Sequence, residues 1–66
     1  MNIPKAEPAT KKQINYIDIL VIDLGFTTKQ RNFYMNGITN RKVNAPDELT
    51  KLEASKVIGK FLEYKE

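Results

Sequence analysis

Three threonines, each followed three residues later by Gln or Glu, constrain this chain most: Thr10 with Gln13, Thr27 with Gln30, and Thr50 with Glu53. Each pair is a capping box. The hydroxyl accepts from the backbone N–H three residues on, and the longer side chain reaches back to the threonine N–H, so two otherwise orphaned donors of a helix start are satisfied together. The hydrophobic period agrees with each start. Ile14, Ile17, Val21 and Leu24 follow Thr10 at three–four spacing, with Leu20 beside them, and Ala54, Val57, Ile58 and Phe61 follow Thr50 in the same way, with Leu62 on the flank. Ala9 before the first cap and Leu49 before the third are placed to staple onto Ile14 and Ala54. Gly25 is placed to close the first helix in the left-handed region, with Phe26 folding back on Val21.

The spacing predicts an all-α, three-helix domain: a first helix from Thr10 to Gly25, a second from about Thr28 to Met35 stopped by Asn36-Gly37, and a third from about Lys51 to Tyr64. Ile14, Ile17, Val21, Leu24, Phe33, Ile38, Leu49, Ala54, Ile58 and Phe61 are the expected core, with Tyr34 a further inward candidate. Ile38–Ala45 reads as a basic loop, either a short hairpin or an irregular connection, and Pro46 sets up a turn into the third helix. Residues 1–9, with two prolines and no periodicity, are expected to be a flexible arm, and residues 10–66 a single domain.

Composition narrows the chemistry. The chain has no Cys and no His, which removes disulfides, the usual zinc ligands and the commonest nucleophile–base pairs. Ser55 sits mid-helix, where a small residue eases packing or bonds back to its own helix. Asp47-Glu48 suits the positive end of the following helix, and Asp18 and Asp23 do not share a helical face. The glycines at 25, 37 and 59 are isolated and build no phosphate or dinucleotide loop. No enzyme, cofactor, metal or small-molecule substrate is expected. No apolar run is long enough to span a membrane, and MNIPKAEPA has no signal-peptide core, so a cytoplasmic location is expected.

Charge supplies the functional lead. Residues 29–46 carry Lys29, Arg31, Arg41 and Lys42 with no acid, in a chain of net charge +3. Lys29 and Arg31 fall at the start of the second helix, where free N–H groups and the helix dipole suit phosphate. Lys11 and Lys12 open the first helix as outer steering charges. Lys29, Arg31, Arg41, Lys42, Lys11 and Lys12 are therefore the expected nucleic-acid-binding residues, with Tyr34 or Tyr16 available to stack on a base. The rival reading is a protein-docking module that binds a larger protein through the leftover apolar residues Ile19, Ile22, Tyr34 and Leu52.

The motif ATKKQINYI (Ala9, Thr10, Gln13, Tyr16 and Ile17), the closing Gly25 and LTKLEASKVI (Leu49, Thr50, Lys51, Glu53, Ala54, Ser55 and Ile58) resemble a small helical domain of tailed-phage and prophage proteins of Gram-positive bacteria. The likeness runs from Ala9 to Leu62. Members are mostly uncharacterised; the domain occurs alone or appended to larger proteins, some associated with phage DNA replication or recombination. The resemblance implies a non-catalytic accessory of phage DNA metabolism or, on the rival reading, a docking module that binds or inhibits a host or phage protein. The chain departs from the pattern at Gly59, where such proteins usually carry a better helix former, so the tail of the last helix and a close approach of another backbone are the points to examine there.

Overall fold

The computed structural model describes residues 7–66. Three helices follow in order: α1 (Lys11–Leu24), α2 (Thr28–Thr39) and α3 (Lys51–Lys65), with one 3-10 turn at Pro46–Glu48 before α3. All three capping boxes form. The Thr10, Thr27 and Thr50 hydroxyls each accept from the N–H three residues on at 3.1 Å, and the Gln13, Gln30 and Glu53 side chains accept from the threonine N–H groups at 2.9–3.0 Å. Gly25 closes α1 at φ 73°, donating to Ile22 O while Phe26 N–H donates to Val21 O. This is the Schellman arrangement, and its positive φ is one that glycine adopts without a steric penalty.

α3 lies between the other two helices. Gln13 Nε2 near the start of α1 donates to Lys51 O and Ser55 Oγ near the start of α3, and Asp23 meets Lys65 at the far ends, so α1 and α3 run parallel. Ser55 thus bonds across to α1 rather than back to its own helix. α2 runs antiparallel to α3: Tyr34 packs against Tyr64 at 5.5 Å, while Arg41, just past α2, reaches Glu53 in the first turn of α3.

The buried core is Ile17, Leu20, Met35, Val43, Leu49, Ala54, Val57 and Phe61, with Val21, Leu24, Phe26, Tyr34, Ile38 and Ile58 packed at its edge. Phe33 corrects the expectation. It is 73% exposed, and Met35 takes the inward position. Residues two apart on a helix point to nearly opposite sides, so only one of the two can face α3. Phe26, delivered by the Schellman turn, stacks on Tyr34 at 4.7 Å and meets Phe61 edge-on at 5.5 Å, filling the space that Phe33 was expected to fill.

α2 also runs past Asn36-Gly37. Its end is set by Asn40 at φ 57°, and Thr39 Oγ1 donates back to Met35 O at 2.8 Å. Asn36 is a tether instead of a stop: its Oδ1 accepts from Val43 N–H at 2.6 Å and draws buried Val43 under the connection. No hairpin forms among the described residues; the connection is irregular apart from the 3-10 turn. Of the expected arm, residues 1–6 lie outside the described residues. Residues 7–9 bond to the start of α3: Lys51 N–H donates to Glu7 O, Ala9 N–H donates to Leu49 O, and Ala9 packs on the core.

Gly59 does not end α3, which continues to Lys65. Nor does another backbone approach it: a β-carbon there, as at Gly37, would meet no atom within 4 Å. Each of these interior glycines costs its helix roughly 1 kcal/mol relative to Ala, with no intramolecular contact that requires it.

Candidate nucleic-acid interface

The six basic residues singled out from the sequence separate into two kinds. Arg41 and Arg31 are held within the fold. Arg41 grips Glu53 with Nε and an amino nitrogen, both at 2.7 Å, and the same amino nitrogen donates to Glu48 O at 2.8 Å. Arg31, half-buried, donates to Asn32 Oδ1 and to Asn44 O at 3.1 Å, and Asn44 N–H donates to Glu48 Oε1. The two arginines therefore fasten the 41–48 connection to α2 and α3. Lys11, Lys12, Lys29 and Lys42 are exposed and form no ion pair among the described residues. Lys11 and Lys12 open α1, and Lys29 is separated from Lys42 by most of the length of α2, about 15 Å at the usual helical rise.

The Arg41 clamp sets the ionisation of Glu53. The two Arg41 bonds hold its carboxyl at about 2, well below the usual carboxylate range; partial burial opposes this, and the Thr50 N–H adds to it. The Arg41 guanidinium is raised by the same bond. A depressed folded-state value means that the charged carboxylate stabilises the fold above its ordinary value of 4.5, and that this stabilisation is lost as pH falls towards about 2. Glu53→Gln is expected to unfold at lower urea than the parent at pH 7, with the gap closing as pH approaches 2. An equal gap at both ends of that range would contradict the clamp.

A different surface combines basic and aromatic groups. Between the outer sides of α2 and α3 runs a groove of about 810 Å³. Phe33, Gly37 and Ile38 line it from α2, and Lys56, Gly59, Lys60 and Tyr64 from α3. Phe33 meets Tyr34 edge-to-face at 5.5 Å, and Tyr64 leans on both Tyr34 and Phe61. Phe33 and Tyr64 nevertheless remain 73% and 46% exposed, so a braced aromatic cluster presents ring surface to solvent. Lys56 and Lys60 form no ion pair among the described residues, and Glu63 is the one acid in the lining. Lys29 lies one turn before Phe33 on α2.

Of the residues expected from the sequence, Tyr34 lines this groove and Lys29 lies one helical turn from it. Phe33, Tyr64, Lys56 and Lys60 do not stand out in the sequence as groove residues, because there Phe33 reads as core and the α3 lysines as an ordinary solvated face. The signal available was the shared helical face of Lys29, Phe33 and Gly37, and of Lys56, Gly59, Lys60 and Glu63. It becomes a surface only once α2 and α3 are known to be neighbours. Of the leftover apolar residues, Tyr34 is half-buried in the aromatic cluster, Leu52 is exposed on α3, and Ile19 and Ile22 are exposed on α1.

No family model matches the chain, and no curated protein or solved structure is significantly similar to it. Among the described residues, no helix is long and apolar enough to cross a membrane, and no group of three acidic side chains is placed to hold a metal ion.

Proposed function

We propose that this domain is a non-catalytic, nucleic-acid-binding accessory of phage-type DNA metabolism, working in the host cytoplasm and binding through the α2–α3 groove. The observation that carries the reading is the meeting of exposed Phe33 and Tyr64 with Lys56 and Lys60 in one groove. A basic groove lined with exposed rings is the combination that holds nucleic acid without base-edge readout: lysines take phosphates and rings take base faces. The phage setting comes from the resemblance of Ala9–Leu62 described above. The connection arginines move from the binding role to a structural one, and Lys29 stays.

Three lysines acting on phosphates give binding that should weaken about 20–40-fold between 50 and 200 mM salt. Lys56→Ala with Lys60→Ala leaves one of the three, and the loss over the same range should shrink to about threefold, with thermal stability unchanged. Fluorescence anisotropy on a labelled oligonucleotide reads both. No binding at 50 mM salt, or a double variant with the parent's affinity and salt response, would overturn the assignment.

A second reading has one observation in its favour. Ile19 and Ile22, 54% and 77% exposed, lie on the outward face of α1, where a protein partner would bury them.

A further inference from the structure

We infer that the α2–α3 groove takes single-stranded DNA, with unpaired bases on the rings of Phe33 and Tyr64 and phosphates against Lys29, Lys56 and Lys60. This rests on the nucleic-acid reading above and adds the strand form, the stacking residues and the point of closest approach. Ring faces add affinity only for bases that are free of their own stack, and a duplex keeps its base faces covered. Phe33 carries no polar atom, so its exposed face has no chemistry to offer a phosphate or a base edge. Tyr34 braces Phe33 edge-to-face and Phe61 and Tyr34 brace Tyr64, so both platforms are held before a strand arrives. The charge is complementary: Lys56 and Lys60 are in the lining, Lys29 lies one turn before Phe33 on α2, and Glu63 is the one acid that lines the groove.

The two interior glycines supply an independent observation. Gly37 and Gly59 line the same groove from opposite helices, neither has a positive φ, and a β-carbon at either would meet nothing inside the protein. Their missing side chains leave the groove floor clear where a strand crosses it, which gives a use for glycines that the fold itself does not require. The choice of DNA over RNA is taken from the DNA-metabolism reading above.

Alanine at both glycines tests this, because it should move stability and affinity in opposite directions. Gly37→Ala with Gly59→Ala is expected to raise the melting temperature by about 8–16 °C while weakening oligothymidylate binding at least tenfold. Titrations of parent and variant at 50 mM salt would use oligothymidylate, a mixed-sequence DNA duplex and oligouridylate, with oligothymidylate expected to bind the parent tightest. A variant that binds oligothymidylate like the parent would overturn the inference and leave the nucleic-acid reading standing. Tighter binding of the duplex would overturn the strand form, and tighter binding of oligouridylate the choice of DNA. Binding of none of the three by the parent would overturn both readings together.

Discussion

Phe61→Ala should lower the stability of this domain by about 3–5 kcal/mol. Phe61 is the largest fully buried side chain, meets Phe26 edge-on at 5.5 Å, and carries Tyr64 on its other side at 6.0 Å. Truncating a core Phe to Ala costs about 3–5 kcal/mol in lost transfer energy and residual cavity. Domains of this length are stable by roughly 3–10 kcal/mol in total, so the loss takes from about a third to all of what is available. The cavity would open where α3 meets the Phe26–Tyr34 stack, and α2 is fastened to the rest mainly through that stack and the Arg41 clamp. Far-UV circular dichroism with urea checks this directly. A cooperative transition with a midpoint close to the parent's would show that the aromatic cluster is not the keystone of the core.

Phe33→Ala should do the reverse. With 73% of its surface exposed, Phe33 adds little to the fold, and its loss should change stability by no more than about 0.5 kcal/mol. Its loss from the groove removes one stacking platform, which is worth about 1–3 kcal/mol per base. Affinity for single-stranded DNA should therefore fall by about 5- to 150-fold, with little change in the salt response because no cation is removed. Parallel melting curves and anisotropy titrations separate the two effects. A variant that melts and binds like the parent would remove Phe33 from the site. The two phenylalanines thus carry opposite expectations, one structural and one functional, although both had been assigned to the core.

What the sequence disclosed and what it hid follow from the range of the interactions. The three helix starts and the Gly25 closure depend on residues within a few positions of one another, and all were legible. The α3 face was legible in outline: Ala54 and Phe61 are buried as expected, while Val57, on the same stripe, takes the buried place expected of Ile58, which packs at the edge. α2 was harder. Its inward face carries only Met35, Tyr34 and Ile38, and whether Phe33 or Met35 turned inward depended on Phe26 already filling the aromatic position beside Phe61. The real end of α2 was hidden because Asn36 and Gly37, a common stop, are overridden by Asn36 bonding to Val43 and by Asn40 taking the left-handed turn. The site was legible only in part. Counting Arg31 and Arg41 as free charge ignored acceptors distant in sequence: Glu53, Glu48 O and Asn44 O. Lys29, by contrast, forms no ion pair among the described residues.

The most direct test of the groove is an amide-shift NMR titration of the intact chain with oligothymidylate at 50 and 200 mM salt. Binding in the groove predicts shifts concentrated at Lys29, Phe33, Gly37, Lys56, Gly59, Lys60 and Tyr64, with small changes at Arg41–Glu48, all fading at the higher salt. Shifts centred on Arg41–Glu48 or on Lys11 and Lys12, with the groove silent, would contradict it. A titration flat at both salts would contradict nucleic-acid binding altogether and direct attention to the exposed isoleucines of α1.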